Sequence, residues 1–335
     1  MDLAIHALVG LLPVCCFLAA LVFLDSYKLI PLRWILGVIG IGFAAGIASY
    51  PLNVGARALL DIDFVTLTRF VAPLIEEALK AIIIVSLIRH NRVGFLVDAA
   101  IFGFAVGTGF AIFENLFYLQ GSANMHVGTW IVRGFGTAIM HGGATAVFAI
   151  VAHTLLGQHP TKGNVLLIPG YLVASIFHSL FNHFFFPPVV NTMVVLVSLP
   201  VLLTVVFQHS EKSVTDWLGM GFDADTELLG LINSGEFSVS KVGMYLHSLT
   251  KKFEGPVIVD LLCYLRLHTE LSIRAKGLLM MREQGFKDKA GEETRAKLEE
   301  LKFLESSIGA TGLLAIKPFI RMSQKDLWQF YMLSN

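Results

Sequence analysis

Seven long apolar stretches follow one another along the first two thirds of the chain. Each is about 20 residues or longer, which is the length that an α-helix needs to cross the hydrocarbon core of a bilayer. The fifth stretch is the longest, and its Gly142-Gly143 pair predicts a break or a tilt at that point. The pattern predicts an all-α, polytopic membrane helix bundle. The seven predicted spans are residues 4–24, 34–53, 65–88, 94–118, 128–156, 164–186 and 189–209.

Beyond the last apolar stretch the pattern changes to that of a water-soluble helical region. In the run GEETRAKLEELKFLESSI, apolar residues recur among charged ones at Leu298, Leu301 and Leu304. This spacing is typical of a helix that buries one face. The region has no phosphate loop, metal-ligand spacing or nucleophile signature. It is therefore predicted to be a small helical bundle that serves regulation or self-association.

The composition agrees with this division. The 335 residues are 55% hydrophobic and 15% charged, with a mean hydropathy of +0.69, which is too apolar for an ordinary soluble enzyme. Of the 50 charged residues, 17 lie in residues 1–209 and 33 in residues 210–335. These ranges are the predicted transmembrane domain and the predicted cytosolic helical domain. The formal net charge is zero, so no basic field for nucleic acid is indicated.

Basic residues near the span ends predict the orientation, because such residues stay on the cytosolic side. Arg57 lies in an even-numbered connection, with Arg69 and Arg133 just inside the starts of spans. The connections after the first, third and fifth spans carry Lys28, Arg33, Arg89, Arg92 and Lys162. The N-terminus is therefore predicted to lie outside the cell membrane and the C-terminal domain in the cytosol, which agrees with seven spans.

Ionisable residues within the spans are few, and they raise the question of what holds them there. In the stretch PLIEEALK, Glu76 and Lys80 are four residues apart and share a helix face, while Glu77 points about 100° away. A charged side chain inside the bilayer is costly unless it is paired or faces a polar cavity. The polar residues that other spans offer are Glu114, His141, His178 and Asn182.

The predicted orientation gives these groups compatible depths. Glu76 and Glu77 lie about half-way along the third span, and Glu114 lies in the outer part of the fourth. His141 is about half-way along the fifth span, and His178 is past the middle of the sixth. One buried pair is often a packing device, but five titratable groups on four helices predict one shared polar pocket between mid-membrane and the outer third.

Such a pocket is suited to the hydrolysis of a peptide bond, which requires an activated water and donors for the oxyanion and the leaving amine. In one chemistry, Glu76 or Glu77 is the general base, because crowded carboxylates in a low dielectric hold protons more tightly. Glu114 would share a proton with them, and His141 and His178 would polarise the water or the carbonyl. Lys80 would hold the charge of Glu76, and Asn182 would support the oxyanion. The chain has no GxSxG and no paired GxGD motif, so serine and aspartyl chemistries are not indicated.

In a second chemistry, a divalent metal such as zinc activates the water. Its ligands would come from Glu77, Glu114, His141 and His178. The chain has no HExxH, so the usual zinc-protease helix is absent. The residues alone leave the choice between the two chemistries open.

Three of the stretches that carry these residues resemble the motifs of a known family. EEALK (Glu76–Lys80), FAIFE (Phe110–Glu114) and HSLFN (His178–Asn182) are similar to the EExxK, FxxxE and HxxxN/D pattern of the PrsW family. These intramembrane proteases are related to the CAAX prenyl endopeptidases and, distantly, to a multispan subunit of γ-secretase. The resemblance covers about residues 65–190 and implies that residues 1–209 are a transmembrane protease domain.

The resemblance also implies a glutamate-based cleavage of a membrane protein embedded in the lipid bilayer. The family's expected target is an anti-sigma factor, cut on its extracytoplasmic side, so a single-span protein is the expected partner. The related CAAX enzymes have a histidine where this chain has Glu114, so their mechanism does not transfer directly. The long C-terminal domain is not explained by the resemblance.

Two other functions fit the same polar residues. In a proton-coupled transporter or channel, the glutamates and histidines would form a proton relay, with pH-driven flux and no cleavage. In a non-catalytic membrane scaffold, the polar cluster would bind partner helices and would keep them bound after the glutamates were replaced.

Overall fold

The structure is a computed structural model that describes residues 2–121, 126–158, 163–283, 286, 291–320, 328–330 and 333. Within these ranges every regular element is helical. The chain divides into two compact units, Met1–Ser210 and Glu211–Asn335. Lys162, one of the basic residues behind the predicted orientation, lies outside the described residues.

The first unit is a bundle of helices joined by short connections. Two π-helical turns, Leu67–Val71 and Val132–Ala138, and a 3-10 turn, Gly163–Leu167, lie between the α-helices of this unit. The helices are α1 Asp2–Leu24, α2 Leu32–Leu60, α3 Phe64–Thr66, α4 Ala72–Arg89, α5 Leu96–Gly121, α6 Val127–Ile131, α7 Ile139–Gln158, α8 Ile168–His183 and α9 Pro188–Asn233.

Six helical runs among the described residues are long and apolar enough to cross a membrane. They are Leu3–Leu24, Leu32–Leu60, Leu96–Gly121, Val127–Gly157, Gly163–His183 and Pro188–Asn233. The predicted all-α membrane bundle is thereby confirmed, and the chain is a multi-pass membrane protein. The remaining predicted span, 65–88, is also helical, but the charges of Arg69, Glu76, Glu77 and Lys80 make it more polar than the other six.

The predicted break in the fifth span is wrong in its position. The irregular turn is Val132–Ala138, and the helix runs without interruption through Gly142 and Gly143. These glycines serve close packing instead. A Cβ on Gly142 would lie 2.7 Å from the ring of Phe104, and one on Gly143 would lie 2.8 Å from the side chain of Leu199.

The central helix of the first unit is α5, which packs against α2 on one side and α7 on the other. Its residues from Val97 to Ala111 are all buried. A Cβ on Gly107 would lie 2.3 Å from the carbonyl oxygen of His141, and one on Gly109 would lie 2.0 Å from that of Ile39. Small residues let membrane helices approach until their backbones touch. Gly107 therefore sets the separation between α5 and α7, the two helices that carry Glu114 and His141.

The second unit is helical as well. Besides the last part of α9 it contains α10 Lys241–Leu249, α11 Gly255–Glu283 and α12 Glu292–Ile316. Leu301 and Leu304 are buried, as expected for the inner face of an amphipathic helix. Lys276 is buried and is bonded to Asp225 and, at 2.9 Å, to Ser272. A buried lysine is costly unless it is paired, so this contact fixes α11 against α9 within the unit.

Candidate active site

A buried ion pair on α4 lies at the centre of the site. The Nζ of Lys80 donates to Oε1 of Glu77 at 2.5 Å, and both side chains are almost completely buried. The same Nζ lies 3.2 Å from Nδ1 of His141 and 4.7 Å from the centre of the Phe110 ring. Our pairing of Lys80 with Glu76 is therefore corrected. On a helix, Lys80 can reach both Glu77, three residues before it, and Glu76, four residues before it. The structure shows that it bonds to Glu77.

Two buried histidines face each other across this ion pair. The rings of His141 on α7 and His178 on α8 have centroids 4.7 Å apart and planes at 83°. Nδ1 of His178 lies 2.9 Å from Oε1 of Glu77, and its Nε2 lies 3.9 Å from Oε2 of Glu76. Because an ionised carboxylate only accepts hydrogen bonds, Nδ1 of His178 carries the proton. The other ring nitrogen, Nε2, which is an acceptor in a neutral imidazole, is the atom that His178 turns toward Glu76.

The other histidine is held by Glu114, whose own partner is a residue that the sequence did not suggest for the site. Nε2 of His141 lies 2.9 Å from Oε2 of Glu114. Arg133, on the π-helical turn before α7, places Nη2 3.4 Å from Oε1 of Glu114 and donates from Nε to Asn115 at 2.9 Å. Its guanidinium also stacks on Tyr118, 3.8 Å from the ring centre. The sequence signal for Arg133 is a basic residue just inside the start of a span. The same signal is given by a residue that anchors a helix at the interface, so it does not identify a site residue.

Glu76 is held by a second residue that the sequence did not suggest. Asn53 of α2 donates from Nδ2 to Oε1 of Glu76 at 3.0 Å. Asn53 lies at the predicted end of a span. A polar residue is common at that position, because it meets the interface, so the sequence gives no sign that Asn53 belongs to the site. The contact joins α2 to α4 and leaves Oε2 of Glu76 directed toward His178.

Asn182 is predicted to support the oxyanion, and the structure shows it in a hydrogen bond to the backbone of a neighbouring helical turn. Its Nδ2 donates to the carbonyl oxygen of Thr68 at 2.9 Å, and the neighbouring Ser179 donates to that of Arg69 at 2.6 Å. Both carbonyls belong to the first π-helical turn. Pro73, five residues after Thr68 and four after Arg69, has no N–H to donate to either of them. The side chains of α8 supply the missing donors, as the absence of water in a membrane requires. The amide of Asn182 retains a second hydrogen.

A cavity of about 360 Å³ lies over these groups, between α2, α3 and α5. Five of the seven predicted site residues line it: Glu76, Glu114, His141, His178 and Asn182. Glu77 and Lys80 are not part of this lining, and they contact the histidines from behind it. The carboxylates that can reach a water or a peptide in the cavity are therefore those of Glu76 and Glu114.

Three side chains of the lining form a candidate set of metal ligands. Glu76, His141 and His178 each offer one donor atom, and these atoms lie within 4.8 Å of one another. Two imidazoles and one carboxylate are a donor set of catalytic zinc sites. Our predicted set included Glu77 and Glu114 instead of Glu76. The structure places Glu77 and Glu114 against ring nitrogens of the histidines, where carboxylates commonly orient metal-binding imidazoles. The residues present thus fit a divalent metal.

Membrane helices that enclose carboxylates and imidazoles around an internal cavity define a multi-pass membrane protein with a buried polar site. The model of the family described as PrsW family intramembrane metalloprotease matches residues 30–207, which is more than half of the chain. The chain belongs to this family, as the three motifs predict, and it is an intramembrane protease. The matched region contains every site residue described above. No curated protein and no solved structure matches the chain.

Proposed function

We propose that the chain hydrolyses a peptide bond of single-span membrane proteins at the Glu/His cluster, by metal-assisted chemistry. The observation that carries the proposal is the convergence of Glu76, His141 and His178 on one cavity of about 360 Å³. The family's description as a metalloprotease supports the same chemistry.

In this proposal Glu76, His141 and His178 would hold the metal, which when bound would supply a water of lowered pKa and polarise the substrate carbonyl. Glu77 fixes the tautomer and the ring orientation of His178 through Nδ1. Lys80 compensates the charge of Glu77 in a place that water does not reach. Neither Glu77 nor Lys80 touches the substrate, so both are positioning residues.

Glu114 is the other carboxylate of the cavity, and we assign it the proton transfer. It accepts a proton from the attacking water as the oxygen bonds to the carbonyl carbon of the scissile peptide. It then returns this proton to the leaving nitrogen as the C–N bond breaks. The second amide hydrogen of Asn182 supports the oxyanion that forms between these steps. Arg133 keeps Glu114 in place between turnovers.

A metal-free, glutamate-based chemistry is the second candidate, and one observation favours it. Both ring nitrogens of His141 have partners, since Lys80 lies at Nδ1 and Glu114 at Nε2. A metal at His141 has to replace one of them. In the metal-free alternative Glu76 is the general base, and His178 Nε2 shares its proton.

The substrate and the orientation are further parts of the proposal. With α3, the first π-helical turn and α4 as a seventh crossing, the N-terminus lies outside the cell membrane and the residues after 209 in the cytosol. The glutamates and histidines then lie in the outer half of the bilayer. This depth supports cleavage on the extracytoplasmic side, and an anti-sigma factor is the candidate substrate that the family suggests.

The purified chain in proteoliposomes tests the proposal. Single-span proteins are co-reconstituted, their fragments are identified by mass spectrometry, and pH-driven proton flux is recorded from the same vesicles. We expect cleavage without flux. Flux without cleavage would instead establish the proton-coupled transporter or channel. Retention of intact partner helices without either activity would establish the scaffold.

The metal content of the purified chain separates the two chemistries. Elemental analysis is expected to give about one zinc per chain, and Glu76→Gln and His178→Ala are expected to remove most of it. The matched control is Glu236→Gln, which changes an exposed glutamate of the second unit. Cleavage by a chain that holds no metal, unaffected by a chelator, would select the glutamate-based chemistry.

A further inference from the structure

A second cavity adjoins the first, and the chemistry proposed above assigns no occupant to it. Its volume is about 580 Å³. This volume and that of the first cavity both fall within the range of ligand-binding cavities, about 300–1,000 Å³. The two cavities share five lining residues: Thr68, Glu114, Tyr118, Thr137 and Asn182. They therefore meet at Glu114 and Asn182, the residues to which we assign the proton transfer and the oxyanion.

The walls of the two cavities differ where they are not shared. In the first cavity the wall away from the Glu/His cluster is mainly aromatic and aliphatic, with Tyr50 and Val54 from α2 and Phe113 and Phe117 from α5, and it also includes Arg57. Tyr50 and Val54 are about half exposed, so this cavity opens at the side of the bundle between α2 and α3, toward the apolar part of the bilayer.

The second cavity is bounded by the ends of helices. His126 caps the start of α6, Phe184 caps the end of α8, and Pro188 begins α9. Gly128 and Thr129 of α6 also belong to this wall. The termini of membrane helices lie where the bundle meets the interface, so this cavity opens toward the polar surface.

A substrate helix has to unfold locally before it is cut, because the carbonyl and N–H groups of an intact helix bond to each other and shield the peptide bond. An opened segment needs room on both sides of the bond that is cut. The junction at Glu114 and Asn182 has such room on both sides, with aromatic side chains of α2 and α5 on one side and helix ends on the other.

Resting on the proposed function, we propose that the two cavities form one cleft for an extended substrate segment with two different subsites. The first cavity takes a large apolar side chain from the membrane-embedded side of the scissile bond. The second takes the residue on the polar side, from the segment that leaves the bilayer. The preferred substrate class is thus a single-span protein with an aromatic or large aliphatic residue at the outer edge of its apolar segment.

A reporter library tests the assignment. Single-span reporters are co-reconstituted with the chain, and the residues on either side of the cut are varied between alanine and phenylalanine. The readout is the ratio of kcat/KM for phenylalanine over alanine at each side, measured within one enzyme variant, so that the amount of folded enzyme cancels. Val54→Trp fills the first cavity and Thr129→Trp the second.

Val54→Trp is expected to lower the ratio at the membrane-embedded side at least tenfold and to leave the ratio at the polar side within twofold. Thr129→Trp is expected to do the reverse. Val201→Trp, which adds the same bulk at an exposed residue of α9 outside both cavities, is expected to change neither ratio. Phe117→Ala, which widens the first cavity, provides a second variant and is expected to raise the ratio at the membrane-embedded side.

Two failures are distinguishable. If the wild-type chain cuts reporters but the tryptophan variants leave the ratios unchanged or shift both alike, the cleft is wrong and the proposed function stands. If the wild-type chain cuts no reporter and no native single-span protein, the proposed function fails, and the cleft fails with it.

Discussion

Replacing Lys80 with methionine is the most informative perturbation of the buried ion pair. Nζ of Lys80 lies 2.5 Å from Oε1 of Glu77, and neither side chain is more than 2% exposed. At an effective dielectric constant of about 20, two unit charges at this separation attract by about 7 kcal/mol before desolvation is counted. Removing one partner of such a pair leaves an uncompensated buried charge, which typically costs about 3–5 kcal/mol. We expect Lys80→Met to lower the free energy of unfolding by this amount.

The double variant Lys80→Met with Glu77→Gln is expected to recover most of the lost free energy of unfolding. Both charges are then removed together, so no unpaired charge stays buried. The free energy of unfolding is measured in mixed micelles for the wild type, the two single variants and the double variant. The expected coupling energy is about 2–4 kcal/mol. Lys212→Met, which removes an exposed lysine, is the matched control and is expected to change stability by less than about 0.5 kcal/mol.

Additive effects of the two substitutions, with a coupling energy below about 0.5 kcal/mol, would refute the reasoning. They would mean that Lys80 and Glu77 do not compensate each other. The assignment of Glu77 as the residue that orients His178 would then lose its electrostatic basis.

Three further results are expected. Asn53→Ala frees Glu76 and should lower kcat/KM about 10–100-fold, the usual effect of losing a residue that supports a ligand; unchanged kinetics would remove Asn53 from the site. Asn182→Ala should cost about 1–3 kcal/mol by leaving a backbone carbonyl unpaired, and less in a Pro73→Ala background, where a backbone N–H is present; equal costs in thermal unfolding would contradict this account of the turn. In a chain whose native cysteines are replaced by serine, Glu236→Cys should react with a membrane-impermeant thiol reagent only after the cells are permeabilised, and reaction in intact cells would invert the proposed orientation.

The features of the fold that could be predicted are those that depend on length and polarity. Apolar stretches of membrane-spanning length predict the helices, and the density of charge after residue 209 predicts a different kind of region there. The position of the irregular turn in the fifth stretch could not be predicted. The Gly142-Gly143 pair suggests a break, but glycine also permits close packing, and the choice depends on Phe104 and Leu199, which are distant in sequence.

For the site, the sequence identifies which residues belong together but not which atoms face one another. Five of the seven predicted residues line one cavity, because charged groups in a membrane have to share a polar space. The division of roles between Glu76 and Glu77 depends on the rotation of α4 against α7 and α8, which sequence spacing within one helix cannot give. Asn53 and Arg133 were missed because a polar residue at a span end is also common at the interface.

Cleavage of a single-span substrate in proteoliposomes by the wild type, Glu77→Ala and Glu114→Ala tests the central claim most directly. The claim is that these carboxylates and the histidines they contact act as one hydrolytic site. We expect each variant to lose cleavage at least 100-fold, while Glu236→Ala stays within twofold of the wild type. Full cleavage by both Glu77→Ala and Glu114→Ala, with the cut at the same peptide bond, would contradict it.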